Sequence, residues 1–240
     1  MIKLWVGTMA RRGRVAINTG GSIIAPDPID PEFISRLAGV LSEASSGRDL
    51  MVVVGGGRTA RRYIEACRRL GADEEYLDLV GIDATRMNAR LLISALGGPV
   101  HRQVPATVTE AIEALEAHTV VVMGGTHPGQ TTDAVSAMLA ERGGAEELVV
   151  LTNVDGVYTA DPRRDPSATR IPELTTSRLL EIVGGGSYQA GSTAVVDPVA
   201  AGIIHRARIP TKVLDGRDLE QVGAALSGRE FTGTRIVPDG

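Results

Sequence analysis

The sequence predicts an α/β protein with an open, mainly parallel sheet sandwiched between helices. Short runs rich in Val, Ile and Leu recur along the chain, at 14–18, 50–54, 119–123, 148–152 and 211–214. Segments in which apolar residues recur every three or four positions, as in a helix, lie between these runs. The runs are apolar almost throughout, which is typical of parallel strands buried on both faces. Strands that alternate with helices in this way indicate an α/β fold.

The first predicted elements follow one another in a regular order. The strand at 14–18 ends in a glycine turn, and a proline-rich loop at 26–31 follows it. The strand at 50–54 leads into a helix over 60–70, which ends at Gly71. The remaining elements alternate in the same manner, as a strand at 119–123, a helix at 134–142, a strand at 148–152, loops at 161–172 and 184–186, and a strand at 211–214.

The composition excludes several classes of protein. The chain has 240 residues, a formal charge of −4 and 43% hydrophobic residues, which is typical of a globular protein. It has no basic stripe that would indicate a nucleic-acid partner, and no apolar run long enough to span a membrane. Because Cys67 is the single cysteine, a disulfide framework is excluded, and we expect a cytoplasmic location.

Lysine is scarce in this chain. Lys3 and Lys212 are the only lysines among 25 basic residues. A Walker loop requires the pattern GxxxxGK[ST], and neither lysine stands in that context. A protein-kinase fold requires a lysine on its third strand, which is also missing. The sequence therefore predicts an α/β protein without a Walker loop.

Several predicted strands end in turns rich in Gly, Thr or Asn. These turns occupy 19–22, 55–58, 124–133 and 152–158. In open parallel sheets, ligands bind at the carboxyl ends of the strands. Glycine lets backbone N–H groups approach an anion closely, and the helix that follows adds its positive N-terminal end. We therefore expect a ligand that carries several phosphates.

Individual residues of these turns leave alternatives open. The turn at 55–60 also fits a loose dinucleotide-binding pattern, although the acidic residues that should follow it fall in a helical stretch. Arg58 and Arg61 either form a solvated helix face or bind phosphate. His127 is a substrate contact, a plain loop residue or a metal ligand, and no second His or Cys lies near it in the sequence. Tyr158 is either a core aromatic residue or a platform on which a base stacks.

A predicted helix also carries polar residues on one face. The spacing of Asp78, Ile82, Thr85, Arg86 and Ala89 places these five residues on the same side of the helix. The polar members of this face either lie at the surface or line a pocket.

Together these segments resemble the amino acid kinase superfamily, and within it the archaeal-type uridylate (UMP) kinases. The resemblance rests on GGGRTARRYI at 55–64, DLVGIDATRMNA at 78–89, GGTHPGQTTDA at 124–134 and TNVDGVYTADP at 152–162. The second and third stretches are the more specific. The resemblance implies an amino acid kinase-like fold, a homohexamer, and transfer of the ATP γ-phosphoryl group to UMP in pyrimidine nucleotide synthesis. It also implies Mg²⁺ that arrives with ATP.

The resemblance assigns roles to individual residues. The residues expected to bind ATP are Gly21, Ser22, Gly57, Arg61, Thr152, Tyr158 and Asp161. Those expected to bind UMP are Gly56, Asp78, Thr126, His127, Pro128, Gly129, Gln130, Thr131 and Thr132, with Asp78 on the ribose hydroxyls. Arg61 and Asp133 are the expected catalytic residues, and no residue is expected to be a metal ligand. We further expect an N-terminal extension at 1–13, an acceptor-nucleotide half at 14–145 and an ATP half at 146–240.

One position departs from the family pattern. Asn18 stands where many members carry a lysine that bridges the transferred phosphoryl group, and Lys212 does not match a second family lysine well. Two other functions stay open, a nucleotide-binding storage protein of the same fold and a kinase for another small phosphate or carboxylate. The chain has only four histidines, too few for the His-rich cavity of a storage protein. Asp78 and the stretch 126–132 favour UMP over other acceptors.

Overall fold

The computed structural model describes residues 12–160, 162, 165–184 and 195–240. Within these ranges the strands are β1 (Gly13–Thr19), β2 (Arg48–Val54), β3 (Val120–Met123), β4 (Glu147–Thr152), β5 (Glu173–Thr175), β6 (Thr211–Asp215) and β7 (Thr234–Val237). They form one sheet in the order β3-β2-β1-β4-β6-β7-β5. The first five in this order run parallel, β7 is antiparallel to β6, and β5 pairs in parallel with β7. The predicted open, mainly parallel sheet is confirmed.

Helices connect the strands. In the described ranges they are α1 (Gly21–Ile24), α2 (Pro31–Ala44), α3 (Gly57–Arg69), α4 (Glu74–Ala95), α5 (Val108–Ala114), α6 (Thr132–Gly143), α7 (Thr176–Gly184), α8 (Pro198–Arg206) and α9 (Leu219–Leu226). Asp73 caps α4 and Thr131 caps α6, each through a side-chain oxygen that accepts a backbone N–H of the first turn. The structure confirms the predicted helices at 60–70 and 134–142.

Each face of the sheet has its own apolar core, because side chains alternate along a strand. In β1, Val15 and Ile17 pack with apolar residues of α2, α4 and α9. Ala16, between them, packs with residues of α5, α6 and α8 on the other face. All three side chains are fully buried. Burial on both faces explains why the sequence of each parallel strand is a continuous apolar run.

The strand order creates a switch point between β1 and β4. From β1 the chain builds β2 and β3 on one side, and then returns to form β4 on the other side of β1. At the carboxyl edge Thr19 of β1 pairs with Leu151 of β4. The next residue, Gly20, donates its N–H to the Leu151 carbonyl at 2.9 Å. This is the position at which open α/β sheets bind ligands.

The edge strand β5 and its neighbour β7 were not predicted. β5 has only three residues, and Glu173 and Thr175 on either side of Leu174 are exposed, so it has no apolar run. No helix in the described ranges combines the length and the apolar character that a membrane crossing needs.

Candidate active site

The first two glycine turns pack backbone against backbone at the carboxyl edge of the sheet. A Cβ at Gly21 would lie 2.1 Å from the Gly57 nitrogen, and a Cβ at Gly57 would lie 2.4 Å from the Gly21 carbonyl carbon. Gly57 also has a φ of +59°, which side chains disfavour. Only glycine therefore allows the start of α1, with Ser22, and the start of α3 to meet. Gly56 lies within the same contact, where an added Cβ would meet Ala60.

Helix α4 supports the second and third glycine turns. The Asn88 amide donates to the carbonyls of Gly55, at 2.9 Å, and Gly56, at 3.1 Å. The Gly125 N–H donates to the Thr85 hydroxyl at 2.7 Å, and Arg86 Nε donates to the Gly125 carbonyl at 3.2 Å. The predicted polar face of α4 thus lines the third glycine turn. Asn88 was missed, because nothing in its local spacing indicates a contact 32 to 33 residues away.

The turn after β3 forms a loop, residues 126–132, that we call the acceptor loop. Asp78 of α4 accepts the Gly129 N–H on its Oδ2 at 2.7 Å. Within the loop, the Thr126 hydroxyl donates to Gln130 Oε1 at 2.7 Å. His127 and Pro128 are exposed at its tip. The structure therefore brings Asp78 into contact with the acceptor loop.

The acceptor loop ends beside the first two glycine turns. Thr132 Oγ1 would lie 3.5 Å from a Cβ at Gly55. Asp133, the next residue, accepts a hydrogen bond from the Asn18 amide of β1 at 2.7 Å. Burial raises the pKa of the Asp133 carboxyl and the nearby charge of Asp197 raises it further, whereas the hydrogen bond from Asn18 opposes the shift. Asp133 therefore lies between the acceptor loop and β1.

Asp197 is a buried carboxylate that the sequence analysis did not single out. Its Oδ1 caps α8 by accepting the Val199 N–H at 2.7 Å and the Ala200 N–H at 3.0 Å. Its Oδ2 accepts the hydroxyl of Thr131 in the acceptor loop. Its own N–H donates to Asp133 Oδ2 at 3.3 Å. Asp197 directly precedes Pro198, the first residue of α8, so the sequence could have shown it only as a helix cap.

On the other side of β1, β4 ends in the stretch predicted to bind the ATP base and ribose. Thr152 is half-buried at the end of β4, and its carbonyl accepts the Gly216 N–H at 2.8 Å. The Tyr158 hydroxyl donates to Asp155 Oδ1 at 2.6 Å, and this hydrogen bond raises the pKa of the Tyr158 phenol. Asp161 lies outside the described residues. Thr152 thus adjoins the first glycine turn, whereas Tyr158 lies further along the loop.

The arginines at the start of α3 differ in their partners. Arg58 and Arg62 both form ion pairs with Asp27, Arg58 at 3.6 Å. Arg61 is exposed and forms no ion pair within the described ranges. Lys212 contacts Glu147 at 2.7 Å near the amino end of β4, on the opposite edge of the sheet. Lys212 therefore lies away from the glycine turns.

An open α/β sheet with glycine turns at its carboxyl edge defines a class of proteins that bind phosphorylated ligands. A sequence model described as "Amino acid kinase family" matches residues 13–215. The chain belongs to the amino acid kinase family, as the resemblance implied.

Named relatives and solved structures agree with this membership. A uridylate kinase of Pyrococcus abyssi is 44% identical over 94% of this chain and 100% of its own. One of Methanococcoides burtonii is 46% identical over 92% of this chain and 97% of its own. The crystal structure of uridylate kinase from Archaeoglobus fulgidus has a TM-score of 0.84 and 41% identity, and covers 94% of this chain and 100% of that one.

Proposed function

We propose that this chain transfers the γ-phosphoryl group of ATP to UMP, giving UDP and ADP in pyrimidine nucleotide biosynthesis. The contact between Asp78 and the acceptor loop, next to the two packed glycine turns, carries this proposal. A carboxylate beside a loop rich in hydroxyls and backbone N–H groups offers hydrogen bonds to both a ribose and a phosphate. The similarity to proteins named uridylate kinase, at 44% and 46% identity over most of the chain, supports it.

The proposed nucleotide sites lie on either side of the first glycine turn. ATP is bound by Gly21, Ser22, Gly57, Arg61, Thr152, Tyr158 and Asp161. The last three, in the half at 146–240, hold its base and ribose. UMP is bound by Gly56, Asp78, Thr126, His127, Pro128, Gly129, Gln130, Thr131 and Thr132, all in the half at 14–145. The close approach of the two glycine turns, both in the half at 14–145, supports a shared phosphate site at this edge of the sheet.

In the proposed mechanism the chain positions two phosphates and neutralises their charge. The acceptor oxygen of UMP needs no general base, because a phosphate is already ionised at neutral pH. Backbone N–H groups of the glycine turns hold the phosphates in line, and the Arg61 guanidinium stabilises the charge of the phosphoryl group in transfer. Asp133 organises the side chains between the acceptor loop and β1.

Mg²⁺ fits the oxygen donors at this edge. Asn18 Oδ1 is buried and accepts no hydrogen bond from any described residue, and the Asp133 carboxylate lies beside the same amide. Amide and carboxylate oxygens are the kind of ligand that Mg²⁺ prefers. When bound, Mg²⁺ neutralises part of the negative charge of the phosphates.

We also propose that the chain forms a homo-oligomer in the cytoplasm. Apolar side chains are exposed on α3 and α4 and in the turn between them, namely Tyr63, Leu70, Tyr76, Leu79 and Met87. Such a patch is typical of a protein–protein contact. Light scattering coupled to gel filtration measures the assembly directly, and a monomer at micromolar concentration would contradict this proposal.

The experiment that tests the proposed function is an ADP-release assay with a panel of acceptors. With ATP and Mg²⁺, we expect UMP to be phosphorylated much faster than acetylglutamate, carbamate or isopentenyl phosphate. A chain that phosphorylates a carboxylate or isopentenyl phosphate but not UMP would contradict the proposal.

Asp78 provides a second test, of ribose recognition. A site built to bond a hydroxyl penalises an analogue that lacks it, because its polar group then loses a partner. We expect dUMP to be a poorer acceptor than UMP, and Asp78→Ala to narrow the ratio of their kcat/KM values. Equal losses for both nucleotides in the variant would show that Asp78 only supports the acceptor loop.

A further inference from the structure

Asp197, directly before α8, divides its two carboxylate oxygens between two parts of the fold. The residue is buried, with 4% of its surface exposed. Its Oδ1 caps α8 by accepting the N–H groups of Val199 and Ala200. Its Oδ2 accepts the hydroxyl of Thr131, which lies 66 residues earlier in the chain. One oxygen thus serves the helix that Asp197 begins, and the other serves the acceptor loop.

Helix capping alone does not require a buried carboxylate. Asp30, Asp73 and Asp218 cap α2, α4 and α9 in the same way, and all three are exposed. Burying a carboxylate costs free energy, especially when no cation pairs with it. The polar partners that the described residues offer to the Asp197 side chain are N–H and hydroxyl groups rather than cations. The burial of Asp197 therefore indicates a role beyond the cap.

The hydroxyl of Thr131 is already used by the protein. It donates its proton to Asp197 and accepts the Ala134 N–H at 3.0 Å, which caps α6. A hydroxyl has a single proton to donate, so this one does not donate to a nucleotide at the same time. The Thr131 side chain therefore fixes the point at which the acceptor loop ends and α6 begins.

We infer that Asp197 is a positioning residue for the acceptor nucleotide, and that it acts through the Thr131 hydroxyl. Asp197 holds the acceptor loop at the end that joins α6, while Asp78 holds its middle through the Gly129 N–H. A loop that is fixed at two points is ordered before its ligand arrives, so less of the binding free energy is lost in ordering it. The effect on UMP rests on the proposed function, whereas the ordering of the loop does not.

One substitution separates the two roles of Asp197. Asp197→Ser keeps a hydroxyl that can cap α8, but it offers one oxygen in place of two. In the full chain we expect the KM for UMP to rise by about tenfold, as for the loss of a hydrogen bond to a charged group. The KM for ATP and kcat should change little. Asp218→Ser, the same change at the exposed cap of α9, is the matched control and should leave both KM values as in the wild type.

A double variant tests whether Asp197 acts through Thr131. Thr131→Val removes the hydroxyl and should raise the KM for UMP, whereas Thr131→Ser keeps the hydroxyl and should stay near the wild type. Adding Asp197→Ser to Thr131→Val should raise this KM no further, because both changes remove the same contact. Effects on KM that multiply in the double variant would overturn the inference.

The Thr131 variants also decide the question if Asp197→Ser does not fold. Thr107→Val removes the side-chain cap of α5 in the same way as Thr131→Val removes that of α6, and it is the matched control. Equal KM values for UMP in Thr131→Val, Thr131→Ser and Thr107→Val would contradict a positioning role for this contact.

Hydrogen exchange measured by mass spectrometry follows the acceptor loop without nucleotides. Amides at 126–132 should exchange faster in Asp197→Ser than in Asp218→Ser, because a contact that orders the loop is lost in the first variant alone. Equal exchange of this stretch in the two variants would overturn the inference.

ADP release with UMP by the wild type separates this inference from the proposed function. An inactive wild type whose loop exchange responds as expected removes the function and keeps the ordering of the loop by Asp197. An active wild type in which neither loop exchange nor the KM for UMP responds to Asp197→Ser leaves the function standing and removes the positioning role.

Discussion

Arg61 and Arg69 lie on the same helix, α3, in different surroundings. Arg61 lies one turn after Gly57, is exposed and forms no ion pair in the described part of the chain. Arg69, at the end of the helix, bonds Glu65 at 2.8 Å. Arg61 is thus free to reach a phosphate near the glycine turn, where a guanidinium can bind two oxygens at once.

We expect Arg61→Ala to lower turnover by one to three orders of magnitude, on the order of 2–4 kcal/mol of transition-state stabilisation. Arg61→Lys should recover only part of the loss, because an ammonium group cannot make the same paired contact. Steady-state kinetics with UMP measures both effects. Arg69→Ala is the control, and kinetics that do not differ between the two alanine variants, both folded, would refute the assignment.

The buried Asp133 carboxyl should lower the stability of the fold at neutral pH, although the proposed function uses this residue. Burial raises its pKa in the folded chain. A carboxyl whose pKa is higher in the folded than in the unfolded chain stabilises the fold at low pH, and this contribution is lost as the pH rises through the folded pKa. In EDTA, Asp133→Asn should therefore have a higher Tm than wild type at neutral pH, and the difference should shrink on acidification. A Tm difference that is independent of pH would contradict this.

At the scale of the elements, the close contact between the glycine turns predicts different outcomes for two similar substitutions. A Cβ at Gly21 would meet the backbone of the α3 turn at 2.1 Å, whereas nothing lies within 4 Å of one at Gly39 in α2. Gly21→Ala should destabilise the fold by roughly 1–3 kcal/mol and abolish activity. Gly39→Ala should stabilise it by about 0.5–1 kcal/mol, because alanine favours a helix. Urea unfolding measures the free energy of unfolding of both variants. Equal changes in the two variants would show that the two glycine turns can move apart to admit a side chain.

The sequence predicts those strands and helix ends that are marked by residues within the element itself. Each parallel strand is an apolar run because it is buried on both faces, and Gly71 and Gly144 mark helix ends. β5 and β7 lack such a run, since buried residues alternate with exposed or half-buried ones along both strands. Asn88 and Asp197 escaped prediction for a different reason, because their contacts join distant parts of the chain.

At the scale of the whole molecule, the strand order decides which turns meet. The sequence predicted that the turns share the carboxyl edge of the sheet. It did not predict which strands are neighbours, because the spatial order β3-β2-β1-β4-β6 differs from the order along the chain. That order places the β1 turn between those after β2 and β4, and α4 then joins the second turn to the acceptor loop. The proposed site depends on this arrangement, in which one strand end adjoins both proposed nucleotides.

The most direct test of the central claim follows the phosphates themselves. Phosphorus NMR of the purified chain with ATP, UMP and Mg²⁺ resolves ATP, ADP, UDP and inorganic phosphate in one sample. We predict that UDP and ADP appear in equal amounts as ATP and UMP disappear, with no matching rise of inorganic phosphate. Conversion of ATP to ADP and inorganic phosphate without UDP, or no reaction while both nucleotides bind, would contradict the account.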